Sequence, residues 1–287
     1  MNVLVVGGTG TVGSLVVQEL LARRERPRVL TRSREKVASL PTNVLGVVGD
    51  TTRPDTLSPA LQGVDTVVLI TALGPNESAE GRAVVEATKK AGVKRLVFLS
   101  VHDVEKCPEA PHFQSKIEIQ KAIEGSGLAW TTVMPNNFFQ NDLWFRRALM
   151  EHGVYPQPFG DVGLSRVDVR DIAEAIAAAA TEPGHEGARY PLVGPDVLTA
   201  SQTAALWGRH LGREVRYGGD DLRAWALQSK AFQPEWLVED LLVMYRFFQE
   251  RGLRASAADL AQQARILGHP PRPFEDFVKE TAAAWRG

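Results

Sequence analysis

The chain has little cysteine. Cys107 is alone among 287 residues, so no disulfide can close within the chain, and a reducing compartment is the simpler expectation. No Cys or His spacing around Cys107, between Lys106 and Pro108, suggests a metal site, and the thiol reads as a surface group. Net charge is also nearly absent, with a formal value of −1 at pH 7. This argues against broad electrostatic attraction to nucleic acid or anionic lipid. Long apolar runs are missing. Val3–Val6 runs straight into glycines, too short for a signal sequence, and Ala175–Ala180 falls far short of a membrane span. The expectation is a cytoplasmic globular protein without membrane or nucleic-acid partners. With 44% hydrophobic residues, the length allows a sizeable core in one large domain or a domain and a half.

What is present alternates. Short β-branched runs occur at Asn2–Val6, Arg28–Thr31, Val44–Val48, Thr66–Ile70, Leu96–Ser100 and Thr131–Met134. Between them lie stretches of helical period; in the first, Val12, Leu15, Val16, Leu20 and Leu21 share one face. Strands alternating with helices predict an α/β fold, a doubly wound parallel sheet covered on both faces. After Phe145 the character shifts. "RVDVRDIAEAIAAAA" reads as a strand end followed by an Ala-rich helix, with Asp168 or Asp171 stabilising its start. From Asp220 onward the pattern is almost wholly helical.

The strongest local signal is "LVVGGTGTVG". It satisfies Gly8-x-Gly10-x-x-Gly13 and Gly7-x-x-Gly10-x-x-Gly13 together, between an expected strand and an expected helix. Glycine permits the tight turn, and a missing Cβ lets an anion approach the backbone. The helix start then offers unpaired N–H groups and a positive dipole end. A dinucleotide pyrophosphate is the expected ligand, held by Gly7, Thr9, Gly10, Thr11, Val12 and Gly13; a turn used only for packing is the alternative. Where an NAD-binding chain would carry a carboxylate, the second strand ends at Arg32, with Arg34 and Lys36 following. A guanidinium there can grip a 2′-phosphate, which favours NADP(H) over NAD(H); a merely solvated basic cluster is the bland reading.

Asp50 and Thr51 follow the third strand, where Asp50 can accept from an adenine amino group or cap the next helix. Thr71 and Ala72 follow the fourth strand, small enough for adenosine to lie over its end. Ser100 ends the fifth strand. Lys116, in "PHFQSKIEIQKAI", can hold ribose hydroxyls or remain an ordinary surface lysine. His112 and His102 are candidate proton donors, with exposed imidazoles the simpler reading.

"GGTGTVG", "LSPALQGVDTVVLI", "HFQSK", "WTTVMPNNFFQN", "VDVRDIAEA", "YPLVGPDVLTASQTAALWGRHLGREVRY" and "GHPPRPFEDFVKE" together resemble the NmrA-like group of atypical short-chain dehydrogenases/reductases, over nearly the whole chain. The resemblance implies a Rossmann domain for NADP(H) over 1–150, with 163–195 adding strand and helix, and a mostly helical substrate-side region over 196–287. It implies that Lys116 matches a lysine retained in many members and that Pro135 to Phe138, Asn137 among them, border the nicotinamide. The wider superfamily carries Tyr-x-x-x-Lys with the phenol as acid; here His112 stands four residues before Lys116, and Phe113 has no acidic proton. Alcohol–ketone chemistry through a tyrosine is thereby put in doubt.

The expectation is an NADPH-dependent oxidoreductase passing hydride to a small apolar or aromatic acceptor such as a quinone, with Lys116 and His112 as the catalytic candidates. The rival is an NADP(H)-sensing regulator acting through protein partners. A homodimer is compatible with either.

Overall fold

The computed structural model describes residues 1–286. The strands are β1 (Asn2–Val6), β2 (Arg26–Thr31), β3 (Leu45–Val48), β4 (Thr66–Leu69), β5 (Arg95–Leu99), β6 (Ala129–Pro135), β7 (Val154–Tyr155), β8 (Ala188–Leu192) and β9 (Arg216–Tyr217). The helices of the first part are α1 (Thr11–Ala22), α2 (Arg34–Ala38), α3 (Ser58–Leu61), α4 (Glu77–Lys90), α5 (Pro111–Glu124) and α6 (Val169–Thr181). Then come α7 (Ala200–Leu211), α8 (Leu222–Ser229), α9 (Glu235–Arg251), α10 (Ala257–Leu267) and α11 (Phe274–Arg286).

Seven strands form one parallel sheet in the order β3-β2-β1-β4-β5-β6-β8. Val5 of β1 lies opposite Val29 on one side and Val68 on the other. Alternate side chains along β1 leave on opposite faces. Val3 and Val5 join the core formed with α1 and α6, whereas Leu4 and Val6 join the one formed with α3, α4 and α5. Both faces are covered, which is why the strands read as unbroken apolar runs. The alanines of α6, from Ala175 to Ala180, are buried; their small side chains let α6 lie close against the sheet and α1.

A third core joins the segment after β5 to the later helices, with Val104 and Phe113 among Trp207, Phe248 and Phe277. Cys107 belongs to it. Expected at the surface, the thiol is 3% exposed, and burial pushes its pKa up. Sequence neighbours could not report this, because the helices that cover Cys107 lie far along the chain. The segment before α6 is not a strand either: Leu164 and Val167 make only isolated bridges, to Leu198, Leu253 and Phe138. Asp168 does begin α6, accepting from the Arg170 N–H at 2.8 Å. Among the described residues, no helix is long and apolar enough to cross a membrane.

The loop between α10 and α11 is pinned to α6 by charge. Arg272 bonds Asp171 and, at 2.6 Å, Glu174. His269 Nε2 meets the other Glu174 oxygen at 2.6 Å. Asp171, Glu174 and His269 therefore converge, but the space between the two carboxylates is bridged by a guanidinium. The Glu174 partnership raises the His269 pKa from 6.5. His269 and Arg272 hold the Glu174 carboxyl below 4.5 against the opposing effect of burial. A raised histidine stabilises fully below its unfolded value and loses that contribution as pH rises through the folded one; a lowered carboxylate stabilises above its unfolded value. The stability lost in His269→Gln is therefore expected to be largest between about pH 4.5 and 6.5 and to shrink at pH 8. Urea unfolding of both proteins across that range measures it.

Candidate functional site

The strand order reverses between β1 and β4. In an open parallel sheet the crevice outside the strand ends at such a reversal is where ligands bind. The glycine turn follows β1, and the chain from Ile70 to Asn76 follows β4, so the two line the crevice together. Their approach is close. A Cβ on Gly7, at φ +84°, would fall 2.4 Å from the Ile70 carbonyl oxygen, and one on Gly13 would fall 2.2 Å from the Gly7 carbonyl oxygen. These glycines are required for packing. Gly10 differs: its nearest contact would be 3.4 Å, and it is exposed with Thr9 and Thr11. Its bare Cα faces open space at the start of α1, where no side chain caps the helix. The unpaired N–H groups, the dipole end and the missing Cβ together fit an anionic group such as a pyrophosphate. Val12 turns inward to the core.

Arg32 stands exposed just past β2 and makes no ion pair among the described residues. Lys36 is exposed on α2, whose start is capped by the Ser33 hydroxyl at 3.2 Å from the Lys36 N–H. Asp50 does not cap a helix. Its carboxylate accepts from the Thr52 hydroxyl and N–H at 2.8 and 3.0 Å, because the loop turns back on itself before Pro54. Those bonds, with weaker attraction from Arg32 and Arg53, hold its pKa below the usual carboxylate range.

The first turn of α4 ties the crevice loops together, a feature missed by sequence reasoning. Thr51 bonds Glu80, and Ser78 bonds Glu118 of α5. Thr71 donates to Glu77 Oε1 at 2.6 Å. Lys116 is buried, not a surface lysine. Its Nζ lies 2.7 Å from Thr71 Oγ1, 2.9 Å from Glu77 Oε1 and 3.1 Å from the Leu99 carbonyl oxygen. The ammonium also sits 5.4 Å from the Phe98 ring centroid. Glu77 is 2% exposed, and its Oε2 has no partner. Its only local signal is an acidic residue at a helix start, which usually means a solvated cap.

Neither histidine is exposed. His112 Nδ1 meets Asp240 Oδ1 of α9 at 2.5 Å, and the His112 N–H donates to the same carboxylate. His102 is 1% exposed. Asn136 donates to its Nδ1 at 3.2 Å and to the Leu253 carbonyl at 2.8 Å. His102 Nε2 then faces Asp259 and Asp103 at 3.5 and 3.7 Å. Partners more than a hundred residues away bury both rings. Ser100 is 4% exposed between them and β5, while Ala72 is exposed at the crevice.

Asn137 and Phe138 are held by a buried arginine. Arg166 donates to Asn137 Oδ1 at 3.0 Å and to the Phe138 carbonyl at 2.8 Å. The other side of its guanidinium binds Asp142 at 2.7 Å. Asp142 also accepts from Tyr155, Gln157 and the Trp207 indole, so this buried carboxylate is fully satisfied. Each of the four tyrosines is engaged elsewhere: Tyr155 on Asp142, Tyr190 on His185, Tyr217 on Asp220, and Tyr245 in the third core. Burial pushes all four phenols up in pKa.

A model of the NmrA-like family matches residues 1–278. An NAD(P)H azoreductase of Xenophilus azovorans is 36% identical over 289 residues, spanning 99% of both chains. A (4-alkanoyl-5-oxo-2,5-dihydrofuran-3-yl)methyl phosphate reductase of Streptomyces griseus is 36% identical over 287 residues, again 99% of each. Among solved structures, an NADPH-dependent quinone oxidoreductase of Escherichia coli in complex with NADPH has the same fold at a TM-score of 0.88 and 26% identity, over 97% of this chain and 99% of that one.

The glycine geometry separates packing from binding. Gly13→Ala should cost about 1–3 kcal/mol of stability by overpacking, whereas Gly10→Ala should cost about 1 kcal/mol or less; thermal unfolding without ligand compares them. Asp142→Ala leaves the Arg166 charge buried without its partner, and about 3–5 kcal/mol should be lost in a denaturant titration.

Proposed function

The chain belongs to the NmrA-like family, and from that premise we propose that it is an NADPH-dependent oxidoreductase reducing a small conjugated acceptor such as a quinone. The observation that carries the acceptor class is the lack of the usual phenol acid. No tyrosine reaches the crevice, and the ring that stands four residues before Lys116, His112, has its Nδ1 on Asp240. A flat acceptor that spreads negative charge needs little proton donation as hydride arrives, so the protein contributes positioning and exclusion of water. The relatives' names point the same way, since an azo group and an unsaturated lactone are conjugated acceptors too.

The residues fit the dinucleotide. The bare turn at Gly10 and the first N–H groups of α1 take the pyrophosphate. Arg32, with no carboxylate of its own, takes a 2′-phosphate, and Asp50 and Thr51 border the adenine side. Thr71 and Ala72 leave room for the ribose. Ser100, Pro135 and Asn137 border the nicotinamide end, and Lys116 supplies positive charge beneath it. Bound there, the reduced nicotinamide supplies a hydride. His112, one of the two proposed catalytic side chains, is held by Asp240 through Nδ1, which leaves Nε2 as its proton-exchanging nitrogen; the proposal gives it no step.

Mixing the protein with NADPH and a panel of quinones, and following loss of NADPH absorbance, tests the activity. Turnover is expected. Tight NADPH binding without turnover of any acceptor would favour a sensor of NADP(H) state instead, and a pull-down that changes between NADP⁺ and NADPH would then identify its protein partner. Arg32→Ala should weaken NADPH by about 10- to 100-fold, the equivalent of one charged hydrogen bond. Binding of NADH should stay within about twofold, because no 2′-phosphate is lost. Fluorescence titration with both cofactors distinguishes the two.

A further inference from the structure

Asn137 stands two residues past the end of β6, at the carboxyl edge of the sheet where ligands bind. All but one of its polar groups are taken. Its N–H donates to Asn136 Oδ1 at 2.8 Å, and its carbonyl accepts from the Val167 N–H at 2.9 Å. Its Oδ1 accepts from Arg166 Nε at 3.0 Å. A guanidinium has donors and no acceptor, so the amide is held with its oxygen toward Arg166 and its nitrogen turned away. Arg166 cannot easily swing aside. Its five N–H donors find Asn137 Oδ1, the Phe138 carbonyl, both oxygens of Asp142 and the Tyr155 hydroxyl, and the residue is 1% exposed. Asn137 is only half-buried, and its Nδ2, which makes no hydrogen bond among the described residues, is open to solvent. The same edge carries the chain leaving β5, whose Ser100 and His102 N–H groups bond the Val133 and Pro135 carbonyls.

We propose that Asn137 is a catalytic hydrogen-bond donor, its Nδ2 binding the acceptor oxygen that gains negative charge, and that Arg166 is the residue that positions it. The inference rests on the oxidoreductase reading above, and it narrows the acceptor to one with a conjugated carbonyl oxygen. The hydride leaves a C–H bond of the reduced dinucleotide with its electron pair and bonds to the acceptor. The negative charge settles on a carbonyl oxygen, which then takes a proton from water and leaves hydroxide. Asn137 lends a hydrogen bond throughout and gives up no proton. A donor fixed before the substrate arrives needs no reorganisation when the charge develops, and its bond strengthens as the oxygen becomes anionic. Asp142 balances the guanidinium charge, so Arg166 contributes orientation rather than a net field. Without it the amide could turn its oxygen to the acceptor, which would repel the charge instead of binding it.

The test compares wild type, Asn137→Ala, Asn137→Asp and the pair Arg166→Gln/Asp142→Asn, the last alone and combined with Asn137→Ala. Asn137→Asp keeps an oxygen for Arg166 and puts a carboxylate oxygen where the amide nitrogen was, so a residue with only a structural role would tolerate it. The Arg166→Gln/Asp142→Asn pair removes both buried charges and strands neither. Three quantities are read: kcat with a benzoquinone, NADPH affinity by fluorescence titration, and affinity of the NADP⁺ complex for 4-nitrophenolate. The last is an aryl oxide like the reduced acceptor, and with NADP⁺ bound no hydride is available. Asn137→Ala should lower kcat by about 10- to 100-fold, the worth of one hydrogen bond to a charged group, and leave NADPH affinity unchanged. Asn137→Asp should lower kcat further, because an anion then faces the developing charge. Nitrophenolate should bind wild type best, Asn137→Ala less well and Asn137→Asp least. Losing Arg166 should lower kcat, and adding Asn137→Ala to that variant should cost little more, since both changes disable one donor. Wild-type kcat and nitrophenolate affinity in Asn137→Asp would overturn the proposal. So would losses that multiply on combination, or an Asn137→Ala variant that weakens NADPH while keeping kcat, which would give the amide to the dinucleotide. The nitrophenolate arm reads the donor whether or not any acceptor turns over, so its failure is distinct from failure of the oxidoreductase reading.

Discussion

Everything in this molecule is arranged around one close approach of bare backbone. The chain leaves β1 through Gly7, and α1 returns with Gly13 so near that neither position has room for a Cβ. The same turn lies against Ile70 at the end of β4. That contact brings the start of α1 to the one place where the strand order reverses. A side chain at either glycine would push the helix away from the sheet and open the floor of the crevice. The cores on the two faces of β1 follow from the same placement, since α1 packs beside α6 on one face while α3, α4 and α5 cover the other.

The loops of the crevice are held by one ion pair and by hydrogen bonds to carboxylates. The first turn of α4 contributes Glu77, Ser78 and Glu80 to three different partners, Lys116, Glu118 and Thr51. A second buried network, around Asp142 and Arg166, supports the chain from Asn137 to Phe138. These pairs cost desolvation, and a buried pair of this kind is weak evidence for stability by itself. Their value here is geometric. They fix loops that would otherwise be the most mobile parts of the fold.

Much of the fold could be read in advance because it is written at short range. A strand, a glycine turn and an amphipathic helix occupy fewer than thirty residues, and their periods show the face each buries. The six early strands and the parallel sheet were legible in this way, as was a carboxylate at the start of α6, with Asp168 and Asp171 both open until the structure placed Asp168 there. Readings that depended on exposure were not. Cys107, His102 and His112 all looked like surface groups and are covered by α7, α9, α10 and α11 or the segments between them. The strand expected before α6 failed because its neighbours are loops that offer only single bridges.

The sequence alone determined that a glycine-rich turn joins β1 to α1, that a basic residue rather than an acid follows β2, and that the usual phenol is missing four residues before Lys116. These are properties of residue type at fixed local spacing. Only the tertiary structure decided which partner each charge would find. Glu77 and Lys116 lie on different helices, and Arg166 and Trp207 lie far along the chain from the Asp142 they share, so no periodicity links them. Burial makes an unpaired charge expensive, so the folded chain selects such pairs, but the selection acts through space and leaves no mark on spacing.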